Sequence, residues 1–110
     1  MAIRDQIRKG STSLLVLALL SDEPMYGYQI SQEMAQRSGG YFDMKEGLLY
    51  PLLHRMKRDG LLDSDWREAT GARRRKYYAI TAEGRKALQE QTDEWQLFMG
   101  KLQGVLSGVA

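Results

Sequence analysis

Apolar residues recur along the first part of the chain with helical spacing. Ile3 and Ile7 lie four residues apart and precede a nearly unbroken apolar run at residues 14–20. This pattern predicts one helix that is buried on most sides in its second half. Pro24 ends it, because proline cannot continue a helix and disfavours helical backbone in the residue before it.

A second predicted helix has its apolar residues four positions apart, at Tyr26, Ile30 and Met34. The pair Gly39 and Gly40 ends this helix, because glycine adopts left-handed backbone at little cost. The three apolar residues fall on one side, so the helix should bury a single stripe.

A third predicted helix also has one apolar stripe, with the spacing i, i+3, i+4 and i+7, formed by Leu49, Leu52, Leu53 and Met56. Pro51 is expected in or near its first turn, where the missing N–H of proline costs little. Gly60 closes this helix.

Apolar and polar residues then alternate in two short segments. Leu62, Ser64 and Trp66 alternate with polar residues, and Tyr78 and Ile80 follow the same period of two. A glycine-containing turn at residues 68–72 separates the segments. The pattern predicts a β-hairpin.

The last part of the chain predicts a long helix from Ala82 to about Gly108, roughly 40 Å at 1.5 Å per residue. Thr81 is a suitable N-cap, and Glu83 places a negative charge in the first turn. Apolar residues recur about every seven positions, which is typical of a helix that packs against another helix. The expected seam consists of Leu88, Trp95, Leu102, Val105 and Leu106.

The order of these elements predicts the fold class: mainly α with a small β-hairpin. Three short helices followed by a hairpin form a winged helix-turn-helix. Residues 1–81 would form this domain, and residues 82–110 would form a C-terminal dimerisation helix.

Composition narrows the possible functions. The 110 residues suit one domain, and the absence of cysteine excludes disulfides, thiol nucleophiles and thiolate metal sites. The single histidine leaves no expected metal site, and no spacing of residues indicates a catalytic group, so we expect neither cofactor nor enzymatic activity.

The longest apolar run is far shorter than the roughly 20 residues that span a bilayer, and no signal peptide is evident. We therefore expect a cytoplasmic protein with no membrane partner.

The side of the third helix opposite its apolar stripe combines aromatic, imidazole and cationic groups. Tyr50, His54, Lys57 and Arg58 share this side. Because cations bind phosphates and polar side chains read base edges, such a face suits the major groove of DNA. An ordinary solvated helix face is the alternative interpretation.

The second strand of the hairpin begins with four consecutive cations: Arg73, Arg74, Arg75 and Lys76. Cations this close together repel one another unless a polyanion offsets them. On a hairpin they would follow a DNA backbone or enter the minor groove. The alternative is a solvated edge strand, since cations also protect sheet edges from pairing.

Trp95 lies in the middle of the seam expected on the long helix. A tryptophan in that position packs into a dimer core, or it forms a platform on which a flat aromatic molecule stacks. The residues alone leave both interpretations open.

Four segments together resemble the PadR family of bacterial transcriptional regulators. They are PMYGYQI at residues 24–30, EGLLYPLLHRM at 46–56, DGLL at 59–62 and RRRKYYAITAEG at 73–84. The resemblance implies a homodimer on a pseudo-palindromic operator, usually acting as a repressor, with the third helix in the major groove and the wing at the minor groove.

The single helix after the hairpin resembles the compact subfamily that includes multidrug-binding regulators. In that subfamily a tryptophan in the place of Trp95 lines a flat pore at the dimer centre. The resemblance therefore implies a ligand site around Trp95 whose other residues are Ile7, Leu14, Leu17, Gln91, Phe98 and Met99. A planar aromatic small molecule is the expected class of effector.

Two positions depart from the family pattern. Leu48 stands where a hydroxyl residue is common, so one contact to phosphate is in doubt. Met99, one turn after Trp95, is not acidic, so a preference for cationic drugs is not supported. A winged-helix module that binds an acidic protein instead of DNA is the alternative function.

Overall fold

The computed structural model of the chain describes residues 3–68 and 73–108, and the mainly helical fold with a small antiparallel sheet is the predicted class. The expected turn at residues 69–72 and the end of the chain at residues 109–110 lie outside the described residues. The elements in order are α1 (Ile3–Leu20), β1 (Met25–Tyr26), α2 (Gly27–Arg37), α3 (Glu46–Arg58), β2 (Leu62–Glu68), β3 (Arg74–Ile80) and α4 (Ala82–Leu106).

The sheet has three antiparallel strands in the order β1-β3-β2, one more than the predicted hairpin. Met25 pairs with Tyr78, and Tyr26 pairs with Tyr77. The prediction that Tyr26 belongs to the apolar stripe of the second helix is therefore wrong, because Tyr26 lies in β1 and is the N-cap of α2. The short strand β1 fixes the start of α2 directly beside β3.

The core lies between α1, α2, α3 and the sheet. The apolar stripes predicted for α2 and α3 are buried, apart from Tyr26, and the second half of α1 supplies much of the remainder. Tyr78 is the large polar residue in this core, with 1% of its surface exposed. Burial of apolar residues on one side of α3 leaves its other side facing outward.

The position of Pro51 differs from the prediction. Helix α3 begins at Glu46, so Pro51 is its sixth residue and lies in the second turn. The exposed residues that precede Leu49 carry no apolar period, which is why the sequence pattern placed the start of the helix too late. At this position the proline ring removes one backbone hydrogen bond of the helix.

A close-packed joint connects α4 to the end of α3. Thr81 is the predicted N-cap: its Oγ1 accepts a hydrogen bond from the Gly84 N–H at 2.9 Å and donates one to the Gly60 carbonyl at 2.7 Å. The backbone N–H of Thr81 also donates to the Leu61 carbonyl at 3.1 Å. A Cβ atom on Gly84 would collide with that same carbonyl oxygen. Glycine is therefore required here for close approach of the two segments.

The Gly84→Ala variant should unfold at a lower temperature than the parent protein. The collision with the Leu61 carbonyl should cost about 1–3 kcal/mol, more than the gain of up to ~1 kcal/mol from the higher helix propensity of alanine. Gly104→Ala is the matched control, because among the described residues nothing outside its own stretch of helix lies within 4 Å of the added Cβ, and the variant should be as stable as the parent or more so. Equal melting temperatures for the two variants would contradict this account of the joint.

No helix within residues 3–68 and 73–108 is both long and apolar enough to cross a membrane.

Candidate nucleic-acid interface

The outward side of α3 forms one wall of a groove of about 670 Å³. The start of α2 and the strands β2 and β3 form the other walls. Six of the eight residues predicted to bind DNA line this groove: Tyr50, His54, Arg73, Arg74, Arg75 and Lys76. The third helix and the cationic strand therefore face a common concave surface.

The other two predicted residues, Lys57 and Arg58, are exposed on α3 but do not line the groove. The Lys57 Nζ donates a hydrogen bond to the Ser64 Oγ at 2.7 Å, which ties the end of α3 to β2. Arg58 lies 3.9 Å from a carboxylate oxygen of Asp59. Both cations therefore have a polar partner on a neighbouring side chain.

The groove cations lie against aromatic rings instead of carboxylates. The Arg75 guanidinium lies 4.3 Å from the centre of the Tyr26 ring, and the Arg74 guanidinium lies 5.9 Å from the centre of the Trp66 ring. Within residues 3–68 and 73–108, no carboxylate lies within 4.0 Å of the cations at positions 73–76. Their charges remain available to an anion.

Tyr50 is fixed in the groove by its contact with the first residue of α2. A Cβ atom on Gly27 would lie 2.7 Å from the Tyr50 hydroxyl oxygen, so only glycine admits the ring there. The Tyr50 side chain is 38% exposed, which leaves its outer part accessible. The α3 face therefore presents a positioned aromatic ring and hydroxyl.

Several groove residues were not predicted because they lie outside the predicted polar face of α3 and the run of four cations at residues 73–76. They are Tyr26, Gly27, Tyr28, Glu46, Trp66 and Tyr78. Trp66 is 58% exposed, and its alternation with polar residues predicts only a strand. Burial, with a smaller contribution from Tyr50, raises the pKa of the Tyr78 hydroxyl above its ordinary value. Tyr78 therefore stays neutral at physiological pH.

A second candidate site lies where α1 meets α4. The Trp95 ring packs over Gly10 of α1, where an added Cβ would lie 3.8 Å from its Cζ2 atom, and it meets the Phe98 ring edge-on at 5.9 Å. The Ser13 Oγ donates a hydrogen bond to Gln91 Oε1 at 3.2 Å. Trp95 and Gln91 are both half-buried at this contact.

The other residues expected around Trp95 differ in exposure. Ile7, Phe98 and Met99 are 49%, 57% and 52% exposed, and Leu14 is half-buried. Leu17 has no exposed surface and packs in the core, so its inclusion in the ligand site is corrected. The reason is the position of Leu17 on the inward side of α1, beside Val16.

The predicted seam of α4 divides into two parts. Leu88 packs against the core and Trp95 packs against α1. Leu102, Val105 and Leu106 are 44%, 74% and 50% exposed. The second half of α4 therefore exposes an apolar ridge formed by these three residues. Among the described residues, no group of three or more potential ligands could hold a metal ion.

The three helices, the hairpin and the groove between them define a winged helix-turn-helix protein. The Transcriptional regulator PadR-like family matches residues 16–90, more than half of the sequence. The chain belongs to this family, which confirms the resemblance seen in its motifs. Members of the family are regulators of transcription, in agreement with the expectation that the chain is not an enzyme.

Known relatives and structures agree with this assignment. A transcriptional regulator of Mycobacterium tuberculosis is 35% identical over 85 residues, which span 77% of this chain and 76% of that protein. A PadR-like regulator from Bacillus cereus superposes with a TM-score of 0.84 at 31% identity, covering 94% of this chain and 98% of the other. A regulator from Clostridium thermocellum superposes with a TM-score of 0.80 at 30% identity, covering 96% of this chain and 99% of the other. The likeness extends over nearly the whole fold, including α4.

Proposed function

We propose that the protein is a homodimeric repressor that binds a pseudo-palindromic DNA operator and responds to a small ligand. The observation that carries this proposal is the convergence of Tyr50, His54 and the residues 73–76 on one groove. These groups supply what a DNA site requires: cations for phosphates and hydrogen-bonding side chains for base edges.

In the proposed complex, α3 enters the major groove and the β2–β3 wing lies against the adjacent backbone or minor groove. Tyr50 and His54 face the bases, because they occupy the outward side of α3. Arg74 and Lys76 contact phosphates without regard to sequence. Most of the affinity would therefore come from the wing, and most of the sequence preference from α3.

The homodimer is proposed to form along the apolar ridge of α4. Leu102, Val105 and Leu106 expose large apolar surfaces that a second α4 helix would cover. In this arrangement residues 1–81 form the DNA-binding part and residues 82–110 the dimerisation part. The two α3 helices, one in each subunit, would then be the reading helices of the dimer. They would bind half-sites about one helical turn, ~34 Å, apart.

The effector is proposed to be a planar aromatic molecule that binds beside Trp95 at the dimer centre. The partly exposed Trp95, Ile7, Phe98 and Met99 offer flat and apolar contacts for such a ligand. Because α1 and α4 both border the site, a bound ligand would alter the separation of the two reading helices. A small change in that separation prevents both from docking at once.

Binding of the purified protein to a duplex promoter fragment tests the central claim. Fluorescence anisotropy of the labelled duplex should give an affinity that falls steeply with salt, because each neutralised phosphate adds about 0.9 to the salt slope. A duplex of scrambled sequence is the control for specificity. Failure to bind either duplex at low salt would reject the DNA function and favour the acidic-protein module.

Replacing Trp95 with alanine should abolish ligand-induced fluorescence quenching and leave operator binding largely intact. Planar aromatic compounds are titrated against the protein with and without the Trp95→Ala change. Because the Trp95→Ala change also removes a fluorophore, calorimetry of the same titrations measures whether the compound itself is still bound. Dissociation of the dimer in the Trp95→Ala variant would show that Trp95 is part of the dimer core instead of a ligand platform.

A further inference from the structure

A large apolar side chain is exposed on α3 outside the groove. Leu48 is the third residue of the helix and is 69% exposed, whereas the next residue, Leu49, has no exposed surface. Leu48 does not line the groove. A single exposed leucine is ordinary on a protein surface. This one stands on the helix that is proposed to enter the major groove, so its surface is available to the bases there.

Leu48 and Tyr50 occupy the two flanks of the outward side of α3. An α-helix turns about 100° per residue, so Tyr50 faces the groove and Leu48 lies on the other flank. Among the described residues, nothing outside its own stretch of helix lies within 4 Å of a Cβ built on Gly47. The first turn of α3 is therefore open to close approach. In helix-turn-helix proteins the N-terminal residues of the reading helix are the ones that contact base edges.

The first turn of α3 is also held in place. The backbone N–H groups of Leu48 and Leu49 both donate to the Lys45 carbonyl at 3.0 Å. Pro51, three positions after Leu48, is exposed on the same flank and adds a rigid apolar ring. Leu48 and Pro51 together form an apolar edge of α3, and the helix fixes its position before any ligand binds.

Cations border this apolar edge. Lys45, the N-cap residue of α3, and Arg55, one turn after Pro51, are both exposed. Among the side chains that the structure describes, neither has a carboxylate within 4.0 Å. Glu46, the acidic residue of the first turn, lines the groove on the opposite flank. The edge therefore suits a polyanion that presents an apolar group between its phosphates. In the major groove that group is the 5-methyl of thymine.

We propose that Leu48 is a specificity-determining residue that packs on the 5-methyl group of one thymine in each half-site. The proposal rests on the proposed DNA function and adds a base contact outside the groove. Cytosine carries no methyl group at this position, so the contact distinguishes the two pyrimidines. Because the contact involves no charge, it should affect affinity for particular sequences and leave the salt slope unchanged.

Deoxyuridine substitution tests the contact, because it removes only the methyl group of thymine. A duplex that the parent protein selects from a pool of random sequences is synthesised again with each thymine replaced in turn by deoxyuridine. At one position in each half-site the replacement should weaken binding by about fourfold, the effect expected from one buried methyl-sized group. The Leu48→Ala variant should bind the thymine duplex more weakly than the parent and lose nothing further with deoxyuridine at that position.

Leu97→Ala is the matched control for this comparison. Leu97 is 56% exposed and lies on α4, away from the proposed reading helix. Its variant should keep the fourfold loss on deoxyuridine substitution. Leu48→Ala should melt at the temperature of the parent, because the side chain is mostly exposed and alanine favours a helix. Equal salt slopes for the parent and Leu48→Ala are expected, since the change removes no cation.

The two proposals fail in different ways. If the parent protein selects no duplex and binds none at low salt, the proposed function is rejected, and thymine reading with it. If a selected duplex binds but deoxyuridine has the same effect on the parent and on Leu48→Ala at every thymine, thymine reading alone is rejected and the DNA function stands. A selected duplex without a thymine common to its half-sites would also overturn the assignment of Leu48.

Discussion

Replacing Arg74 and Lys76 with alanine is expected to weaken the binding of duplex DNA of any sequence by roughly 100-fold. Each charge-assisted hydrogen bond contributes about 1.5 kcal/mol or more, and 1.4 kcal/mol corresponds to a factor of about ten in affinity. Both side chains line the groove and neither has a carboxylate within 4.0 Å among the described residues. Binding titrations at several salt concentrations should also show a salt slope that is smaller by about 0.9 for each phosphate that the variant no longer neutralises.

The matched control replaces Arg85 and Lys86, which are exposed on the first turns of α4 and do not line the groove. The net charge of the protein changes equally in the two double variants. If affinity falls by the same factor in both, long-range charge explains the effect and the wing contacts are rejected. An unchanged salt slope in the Arg74 and Lys76 variant would lead to the same conclusion.

Replacing Leu102 and Leu106 with lysine is expected to convert the protein to a monomer. The two side chains are 44% and 50% exposed on the ridge of α4, four residues apart. Burying an unpaired ammonium group in an apolar interface is strongly unfavourable. Lysine near the C-terminus of a helix complements its dipole, so α4 itself should remain helical. Sedimentation measures the oligomeric state, and circular dichroism measures whether the helix content is kept.

Conversion to a monomer should also weaken operator binding by about 100-fold or more, because two linked half-sites bind with a high effective concentration. Gln103→Lys with Ser107→Lys is the control, since it adds the same charge at the same spacing one position along the helix. This control should stay dimeric. A parent protein that sediments as a monomer at micromolar concentration would reject the proposed assembly before any variant is made.

The sequence pattern predicted the elements that bury a repeating stripe. The stripes of α3 and the second half of α1 are long enough to show a period, and the Thr81 cap is a local signal. Strand β1 has only two residues, so it has no period, and its partner Tyr78 is far away in the sequence. Elements that depend on long-range pairing leave no such local trace.

The sequence predicted only the part of the groove whose residues show a local pattern. Tyr50, His54 and residues 73–76 stand out by their chemistry on one helix face or in one run of cations. Trp66 and Glu46 enter the groove only because several elements meet there. Leu17 was misplaced because an apolar residue on α1 suits both the core and a ligand site, and the packing of the folded chain decides between them.

The joint at Thr81 and Gly84 has a consequence for the evolution and engineering of such proteins. Hydrogen bonds and close packing leave α4 little freedom to swivel against the end of α3. In the proposed dimer, the spacing of half-sites is therefore set by the crossing of two α4 helices, far from any base. A chimera that exchanges residues 82–110 with those of a relative should read the same bases at a different separation.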